Sequence, residues 1–372
     1  MGNMKIAVIG TRGIPTSQGG VERHVEELYA RLAQNHDITV YCRNNYTPSN
    51  ISEYKSIKVR RLPNLNTKHF DAISHTFLAA CDTFRHDYDI IHFHAIGPNL
   101  LSFIPRIKRR AKIVATVHAL DWQRAKWRMF AKTMLKLGER ASVTFPDLTI
   151  SVSNAMKEYL KEKYGRDTIY IPNGINKPAL RQPAQIRDYS LKKHGYVLFL
   201  GRLVPEKNPH LLIQAFKDLK TDLRLVIAGD TSHTDTYHES LMKESANDDR
   251  IIFTGIVGGD LLRELYSNAY LFVLPSSLEG TPITLLEALS YGLPTLCSDI
   301  EPNLEIVGRD GQYATVFHSE DLQDLKVKLS AMLADTNGIR VKAQKASEKI
   351  IDSYNWDKIA IQTERAYKTI IE

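Results

Sequence analysis

Glu279 and Glu287 stand on either side of a Thr281-Pro282 step. A carboxylate does not bind phosphate, but it accepts hydrogen bonds from hydroxyls. Thr281 as an N-cap and Pro282 at the first helical position predict a helix starting between the two glutamates. The amides near Ile283, Thr284 and Leu285 then lack partners within the helix and suit a phosphate. A ligand with hydroxyls on both sides of a phosphate fits this spacing, and a nucleotide-sugar is such a ligand. The same residues would also make an ordinary capped helix with two surface glutamates, so other loops have to agree.

Four loops do. Gly201-Arg202-Leu203-Val204-Pro205-Glu206-Lys207-Asn208 follows an apolar run and places Arg202 and Lys207 where a strand gives way to a helix. Arginine offers a fork to a diphosphate and lysine a point charge. The loop from Gly10 to Gly20 joins the first strand to the first helix, and Gly19-Gly20 lets backbone approach a ligand. It is not Gly-x-Gly-x-x-Gly, which argues against a dinucleotide-dependent dehydrogenase. His118 comes directly after Lys112–Val117, with Asp121 three residues on, at the carboxyl end of a strand. Gly255 and Ile256, in a glycine-rich loop ending another strand, are candidates to bracket a base.

The elements that must hold these loops alternate between short apolar runs and helix-length segments. In the first half, Lys5–Ile9, Ile38–Cys42, Ile57–Leu62, Asp89–Phe93, Lys112–Val117 and Leu148–Val152 are predicted strands. Val21–Ala33, Lys68–Phe84, Trp122–Ala141 and Asn154–Tyr164 are predicted helices. The polar, proline-bearing stretch Lys177–His194 is expected to be a linker. A second unit repeats the alternation from Tyr196–Leu200, with strands Leu223–Ala228, Arg250–Thr254, Tyr270–Leu274 and Pro294–Cys297. Its helices are expected near Pro209–Leu219, Asp260–Tyr266, Pro282–Tyr291 and Leu322–Leu333. The expected domains are 1–175 and 190–354, with a ligand cleft between them.

Composition sets outer bounds. The chain has 372 residues and a net charge of +7. Residues 1–180 hold 27 of the 49 lysines and arginines but only 15 of the 42 acidic residues, so the first half is basic and the second mildly acidic. A polyanionic surface is the expected partner of the first half. Cys42, Cys81 and Cys297 are scattered without a metal or redox pattern, which fits a reduced cytoplasmic setting. No apolar run approaches a membrane span.

Together these features resemble the retaining glycosyltransferases of family 4, which have the GT-B fold of two Rossmann-like domains facing each other across a cleft. The resemblance rests on the pair Glu279 and Glu287, on Gly201-Arg202…Lys207, and on the Gly19-Gly20 loop. The opening Ile9-Gly10-Thr11-Arg12-Gly13-Ile14-Pro15 through Gly-Gly-Val-Glu looks like the rhamnosyltransferase-like branch of bacterial polysaccharide biosynthesis. The resemblance implies that Arg202 and Lys207, with Gly20, Thr284 and Leu285, hold the donor diphosphate. Glu279 is implied to contact the donor sugar, Glu287 the ribose, Gly255 and Ile256 the base, and His118 the reacting centre. It also implies that the final helix, about 355–372, packs back on the first domain. Family members often carry His-Asp where this chain has His118-Ala119-Leu120-Asp121, so Asp121 is not assigned a role.

The implied reaction moves a sugar from a nucleotide-sugar donor to a lipid-linked saccharide acceptor, with no cofactor and no metal, since no Asp-x-Asp lies near these loops. A sugar-nucleotide 2-epimerase of the same fold and a non-catalytic nucleotide-sugar-binding protein are the alternatives. From Arg106 to Arg140 the chain has eleven basic residues and two acidic ones. Arg124, Arg128, Lys132, Lys136 and Arg140 recur every four residues, with Trp122, Trp127, Met129 and Phe130 interleaved. This predicts a basic interfacial helix that docks on an anionic membrane, peripheral on the inner face. No nucleic acid is expected as a partner.

Overall fold

The computed structural model describes residues 2–16, 19–67, 70–108, 110–124, 127, 129–231, 235–335 and 338–372. Internal contacts divide the chain into one unit running to Gly174 and resumed by Trp356–Glu372, and a second unit, Ile175–Asn355.

The first unit is built on β1 (Lys5–Ile9), α1 (Gly20–Leu32), β2 (Asp37–Arg43), β3 (Glu53–Tyr54), β4 (Ile57–Leu62), α2 (Asp71–Asp82) and β5 (Ile90–His94). It continues with α3 (Ile96–Asn99), α4 (Phe103–Arg106), β6 (Lys112–Val117), α5 (Met129–Thr144), β7 (Leu148–Ser151), α6 (Asn154–Tyr164) and β8 (Ile169–Tyr170). The sheet order is β3-β4-β2-β1-β5-β6-β7-β8. Pairing is parallel apart from β3 with β4. β1 is apolar at successive positions because the sheet is covered on both faces. Ile6 and Val8 pack on one side with Val25, Leu28 and Tyr29 of α1, while Ala7 and Ile9 pack on the other with Ala79 and Ala80 of α2.

The second unit holds β9 (Tyr196–Leu200), α7 (Pro209–Lys217), β10 (Arg224–Ala228), α8 (Asp235–Ser245), β11 (Ile251–Gly255), α9 (Gly259–Asn268), β12 (Leu271–Leu274) and α10 (Ile283–Ser290). β13 (Thr295–Ser298), α11 (Glu301–Val307), β14 (Thr315–Phe317), α12 (Leu322–Ala334) and α13 (Gly338–Ser353) complete it. The order β11-β10-β9-β12-β13-β14 is parallel throughout and reverses direction at β9 and β12. In such sheets the crevice outside the carboxyl ends of the strands at that reversal is the usual ligand position. Both units are thus Rossmann-like α/β layers.

The last helix, α14 (Trp356–Ile371), belongs to the first unit, where it packs on α1. Trp356 is 1% exposed. Its indole lies over Gly174, where a Cβ would meet it at 2.7 Å, so that position needs glycine. Arg31 and Asp357 pair at 2.5 Å on the same contact. Truncating Trp356 to alanine is expected to cost roughly 3–5 kcal/mol.

Two expectations fail here. Residues 177–194 are no linker: Ile186 and Leu191 are core residues of the second unit. Glu264 on α9 accepts from the amides of Ala184 and Ile186, which fixes the stretch to that unit. The helix expected over Trp122–Ala141 begins only at Met129, after a single helical turn at Asp121–Gln123. Trp122 instead donates to the fully buried carboxylate of Glu139 at 2.5 Å, and Arg124 adopts an extended conformation. That tertiary bond outweighs the helical spacing of the charges. Lys68, expected to open α2, lies outside the described residues.

Candidate functional site

The second unit brings two loops together at its sheet reversal. One runs from Gly201 after β9, the other from Pro275 after β12, and these strands are neighbours. At least three bonds among the described residues join the loops. The Asn208 side chain, buried and with φ of 51°, donates to the Pro275 carbonyl at 3.0 Å, and the Ser277 amide donates to the Glu206 carbonyl at 3.0 Å. The third is an ion pair between Lys207 Nζ and Glu279 Oε1, with side chains 16% and 8% exposed. Arg202 is partly buried in the same loop as Lys207. Sequence reasoning gave Lys207 and Glu279 separate partners; the fold makes them partners of each other.

α10 starts one residue later than expected. Pro282 is its N-cap, in an extended conformation, and Ile283 is the first helical residue. The amides of Leu285 and Leu286 both reach the Pro282 carbonyl at 3.2 Å. Leu285 is therefore removed as an anion-binding amide, whereas Ile283 and Thr284 precede any carbonyl within the helix they could reach. One turn further, Glu287 Oε2 accepts from the Tyr266 hydroxyl at 3.0 Å, and Tyr266 stacks on Tyr291. Tyr266 holds one oxygen of Glu287, and nothing in its sequence context marked it.

The neighbouring strand ends are bare backbone. Gly201 and Gly229 directly follow β9 and β10, Gly255 ends β11, and the Gly229 amide donates to the Gly255 carbonyl at 2.8 Å. Gly229 has φ of 135°, and a Cβ there would meet the Gly201 carbonyl at 1.9 Å, so no other residue fits. Gly255 borders open space and Ile256 beside it is exposed. They lie two strands from β9, about 10 Å at ordinary strand spacing.

The first unit concentrates histidines where a lone one was expected. His118, just past β6, is partly buried, and its Nε2 meets His94 Nδ1 at 3.0 Å. His94 Nε2 meets the Tyr29 hydroxyl at 2.9 Å, which in turn meets His92 Nδ1 at 2.8 Å. The His92 Nδ1 also meets the Tyr367 hydroxyl on α14 at 2.6 Å, and its Nε2 the Thr116 hydroxyl at 2.7 Å. On α1, His24 packs edge-on to His118 with centroids 4.7 Å apart, and its Nδ1 meets Asn173 Oδ1 at 2.8 Å. Burial holds His24 down to about 4, partly countered by the bond to Asn173. Burial, then neighbouring imidazoles, holds His92, His94 and His118 well below the ordinary value. All four rings are neutral at pH 7, so each gives one N–H and one lone pair. The chain of partners fixes how His118 is presented. The sequence did carry a signal: His92-Phe93-His94 alternates on a strand, which puts both histidines on one face.

Gly20 is the exposed first residue of α1, in the first unit, whereas Arg202, Lys207, Thr284 and Leu285 belong to the second. Ser17 and Gln18 of its loop lie outside the described residues. Asp121 pairs with Arg124 at 2.8 Å. Of the expected basic stripe, Lys132, Lys136 and Arg140 lie on α5, Arg124 precedes it, and Arg128 lies outside the described residues, as do Arg109 and Lys126. The first turns of α5 bury no described residue, and Met129 and Phe130 are 84% and 78% exposed. Among the described residues no helix is long and apolar enough to cross a membrane.

Comparison with known proteins gives a consistent picture. Residues 18–177 match the family model of glycosyltransferase family 4, and residues 182–350 match that of glycosyl transferases group 1. An uncharacterized glycosyltransferase of Methanocaldococcus jannaschii is 26% identical over an alignment of 412 positions covering 99% of each chain. The UDP-Gal:alpha-D-GlcNAc-diphosphoundecaprenol alpha-1,3-galactosyltransferase of Escherichia coli is 26% identical over 73% of each chain. Among solved structures, sucrose-phosphate synthase from Thermosynechococcus elongatus superposes with a TM-score of 0.85 at 22% identity, covering 99% of each chain.

Proposed function

The chain belongs to glycosyltransferase family 4, with the GT-B fold, and on that premise we propose that it moves a sugar from a nucleotide-sugar to a lipid-linked saccharide, retaining configuration and needing no metal. The observation that carries this reading is the pairing of the β9 and β12 loops through Lys207 and Glu279 at the sheet reversal.

Breaking the sugar–phosphate bond leaves negative charge on the diphosphate. Arg202, Lys207 and the amides of Ile283 and Thr284 stabilise that charge from fixed positions, so little reorganisation is needed during reaction. Glu279 steers Lys207 through one oxygen and uses its remaining acceptor capacity for a hydroxyl of the donor sugar. Glu287, oriented by Tyr266, takes the ribose hydroxyls. The bare glycine ends near Gly255 and Ile256 take the base. The cations and amides supply the charge stabilisation that a divalent ion would otherwise supply. For retention, the acceptor hydroxyl attacks on the face the diphosphate leaves, and the leaving phosphate takes its proton. His118, held neutral, donates or accepts a hydrogen bond at the sugar without adding charge.

The first unit takes the acceptor. An acceptor on undecaprenyl diphosphate is supported by the Escherichia coli relative's name. The residues Ile9 to Pro15 with Gly19-Gly20-Val21-Glu22 support a place in the rhamnosyltransferase-like branch of polysaccharide biosynthesis. Exposed Met129 and Phe130, with Lys132, Lys136 and Arg140 on the same helix, support docking on an anionic membrane surface from the cytoplasmic side. α5 is shorter than the sequence suggests, so the docking element is the segment from Met129 onward.

The test is a thermal-shift screen of nucleotide-sugars. A donor binds only the folded chain and raises its melting temperature, by an amount set by concentration over Kd. One nucleotide class should stabilise the wild type, and Arg202→Ala and Lys207→Ala should remove the shift. A shift that survives both substitutions would move the donor site elsewhere.

A further inference from the structure

Three histidines of the first unit come from separate elements, α1, the end of β5 and the loop after β6. One ring nitrogen from each of His24, His94 and His118 lies within 4.8 Å of the other two. His94 Nδ1 and His118 Nε2 are already 3.0 Å apart. Nitrogens around a tetrahedral zinc ion at 2.0–2.1 Å stand about 3.3–3.4 Å from each other. The nitrogens therefore have to draw together by at most about 1.5 Å to form a coordination set.

The hydrogen bonds around the cluster prepare the rings as ligands. His24 gives its Nδ1 hydrogen to the Asn173 side-chain oxygen at 2.8 Å, which leaves the lone pair on Nε2. That nitrogen is buried and has no hydrogen-bond partner among the described residues. His94 turns its Nε2 to the Tyr29 hydroxyl at 2.9 Å, leaving Nδ1 facing the cluster. Metal-bound histidines characteristically give their outer N–H to such a carbonyl or hydroxyl, which fixes the tautomer. His118 is intermediate in exposure, the least covered of the three. The His94–His118 hydrogen bond satisfies those two rings in the absence of an ion. It does nothing for His24, and a cation takes the lone pairs of His24 Nε2 and His94 Nδ1 together with that of His118 Nε2, whose proton moves to Nδ1.

We propose that His24, His94 and His118 form a binding site for a borderline divalent cation, best suited to Zn2+, and that an ion on His118 Nε2 switches transfer off by fixing that ring's proton on Nδ1 and bringing positive charge beside it. The inhibitory part rests on the reading of His118 as the group beside the reacting sugar; the binding part does not. The donor set is three neutral imidazoles without a carboxylate. That chemistry selects Zn2+, Co2+ or Ni2+ and rejects Mg2+ and Ca2+, which require oxygen ligands. A neutral imidazole is the form that ligates.

The experiment titrates Zn2+ into the metal-stripped full-length enzyme by calorimetry, and Co2+ by visible absorption. One ion per chain and the intense bands of tetrahedral Co2+ are expected, with no heat from Mg2+. His24→Gln should weaken binding at least 100-fold. Asn173→Ala should weaken it 10- to 100-fold while leaving all three ligands in place. Each variant is shown to be folded by its melting curve. Zn2+ should inhibit transfer by the wild type, EDTA should reverse this, and His24→Gln should shift the inhibition to higher Zn2+. Absent 1:1 binding, or equal binding by wild type and His24→Gln, overturns the site. Tight binding without inhibition overturns the switch alone. Failure to find any sugar transfer refutes the transferase reading but leaves the calorimetric result intact.

Discussion

The Lys207–Glu279 pair gives the sharpest kinetic prediction. Its side chains are 16% and 8% exposed, so the charges are mostly withdrawn from water. Replacing Lys207 with alanine removes a preorganised donor to the leaving diphosphate, worth roughly 2–4 kcal/mol, or about 30- to 1000-fold in rate. It also strands the Glu279 carboxylate. Glu279→Gln strands the lysine in the same way. Breaking a buried pair costs about 3–5 kcal/mol of stability, and the residual exposure puts this one at the lower end or below. If the two groups work as one unit, their losses do not multiply. Lys207→Ala/Glu279→Gln should then be only about as slow as the slower single variant, a coupling of roughly 1–3 kcal/mol. The assay is kcat/KM for transfer at saturating acceptor, with melting curves to show that each variant is folded. Losses that multiply to within about 0.5 kcal/mol would show independent groups and refute the reasoning. Single variants within threefold of wild type would remove both residues from the site.

Glu287→Gln should raise the donor KM more than it lowers kcat, because ribose lies away from the reacting bond. A loss confined to kcat would contradict this assignment. Acidification should destabilise the first unit: burial holds His24 and His75 at about 4 when folded, against about 6.5 unfolded. The unfolded chain therefore takes up these protons first, and stability present above pH 6.5 is lost progressively down to pH 4. Each group accounts for roughly 2 kcal/mol by pH 5. A urea midpoint equal at pH 7 and pH 5 would exclude this. Sedimentation with liposomes should require anionic lipid, weaken with salt, and weaken in Met129→Ser/Phe130→Ser/Lys132→Ser; equal partitioning of wild type and variant would remove α5 from the docking surface.

What could be read from the sequence followed burial. β1, β6 and β9 fall on the expected residues because both of their faces are covered, and β4 and α6 fall there too with far fewer buried side chains. The loops carrying Arg202, Lys207 and Glu279 are legible because each follows an apolar strand, and Glu287 because its helix follows the second of them. The failures come from contacts between distant residues. The 177–194 stretch is polar and proline-bearing, yet Glu264 and a few core side chains bind it to the second unit. The charges from Arg124 onward have helical spacing, but Trp122 is drawn to Glu139 and the helix starts later. The histidine network joins α1, β5, the loop after β6 and α14, and no local pattern could assemble it. β14, with three residues, is too short to register as a pattern.

The most direct measurement is product analysis of the full-length enzyme with a stabilising nucleotide-sugar in excess EDTA, with and without an undecaprenyl-diphosphate-linked saccharide. The account predicts a lipid-linked product with the donor's anomeric configuration, nucleoside diphosphate released in equal amount, and negligible turnover without acceptor. Nucleotide release and an epimerised free sugar without acceptor would contradict it, as would turnover that is lost in EDTA and restored by Mg2+.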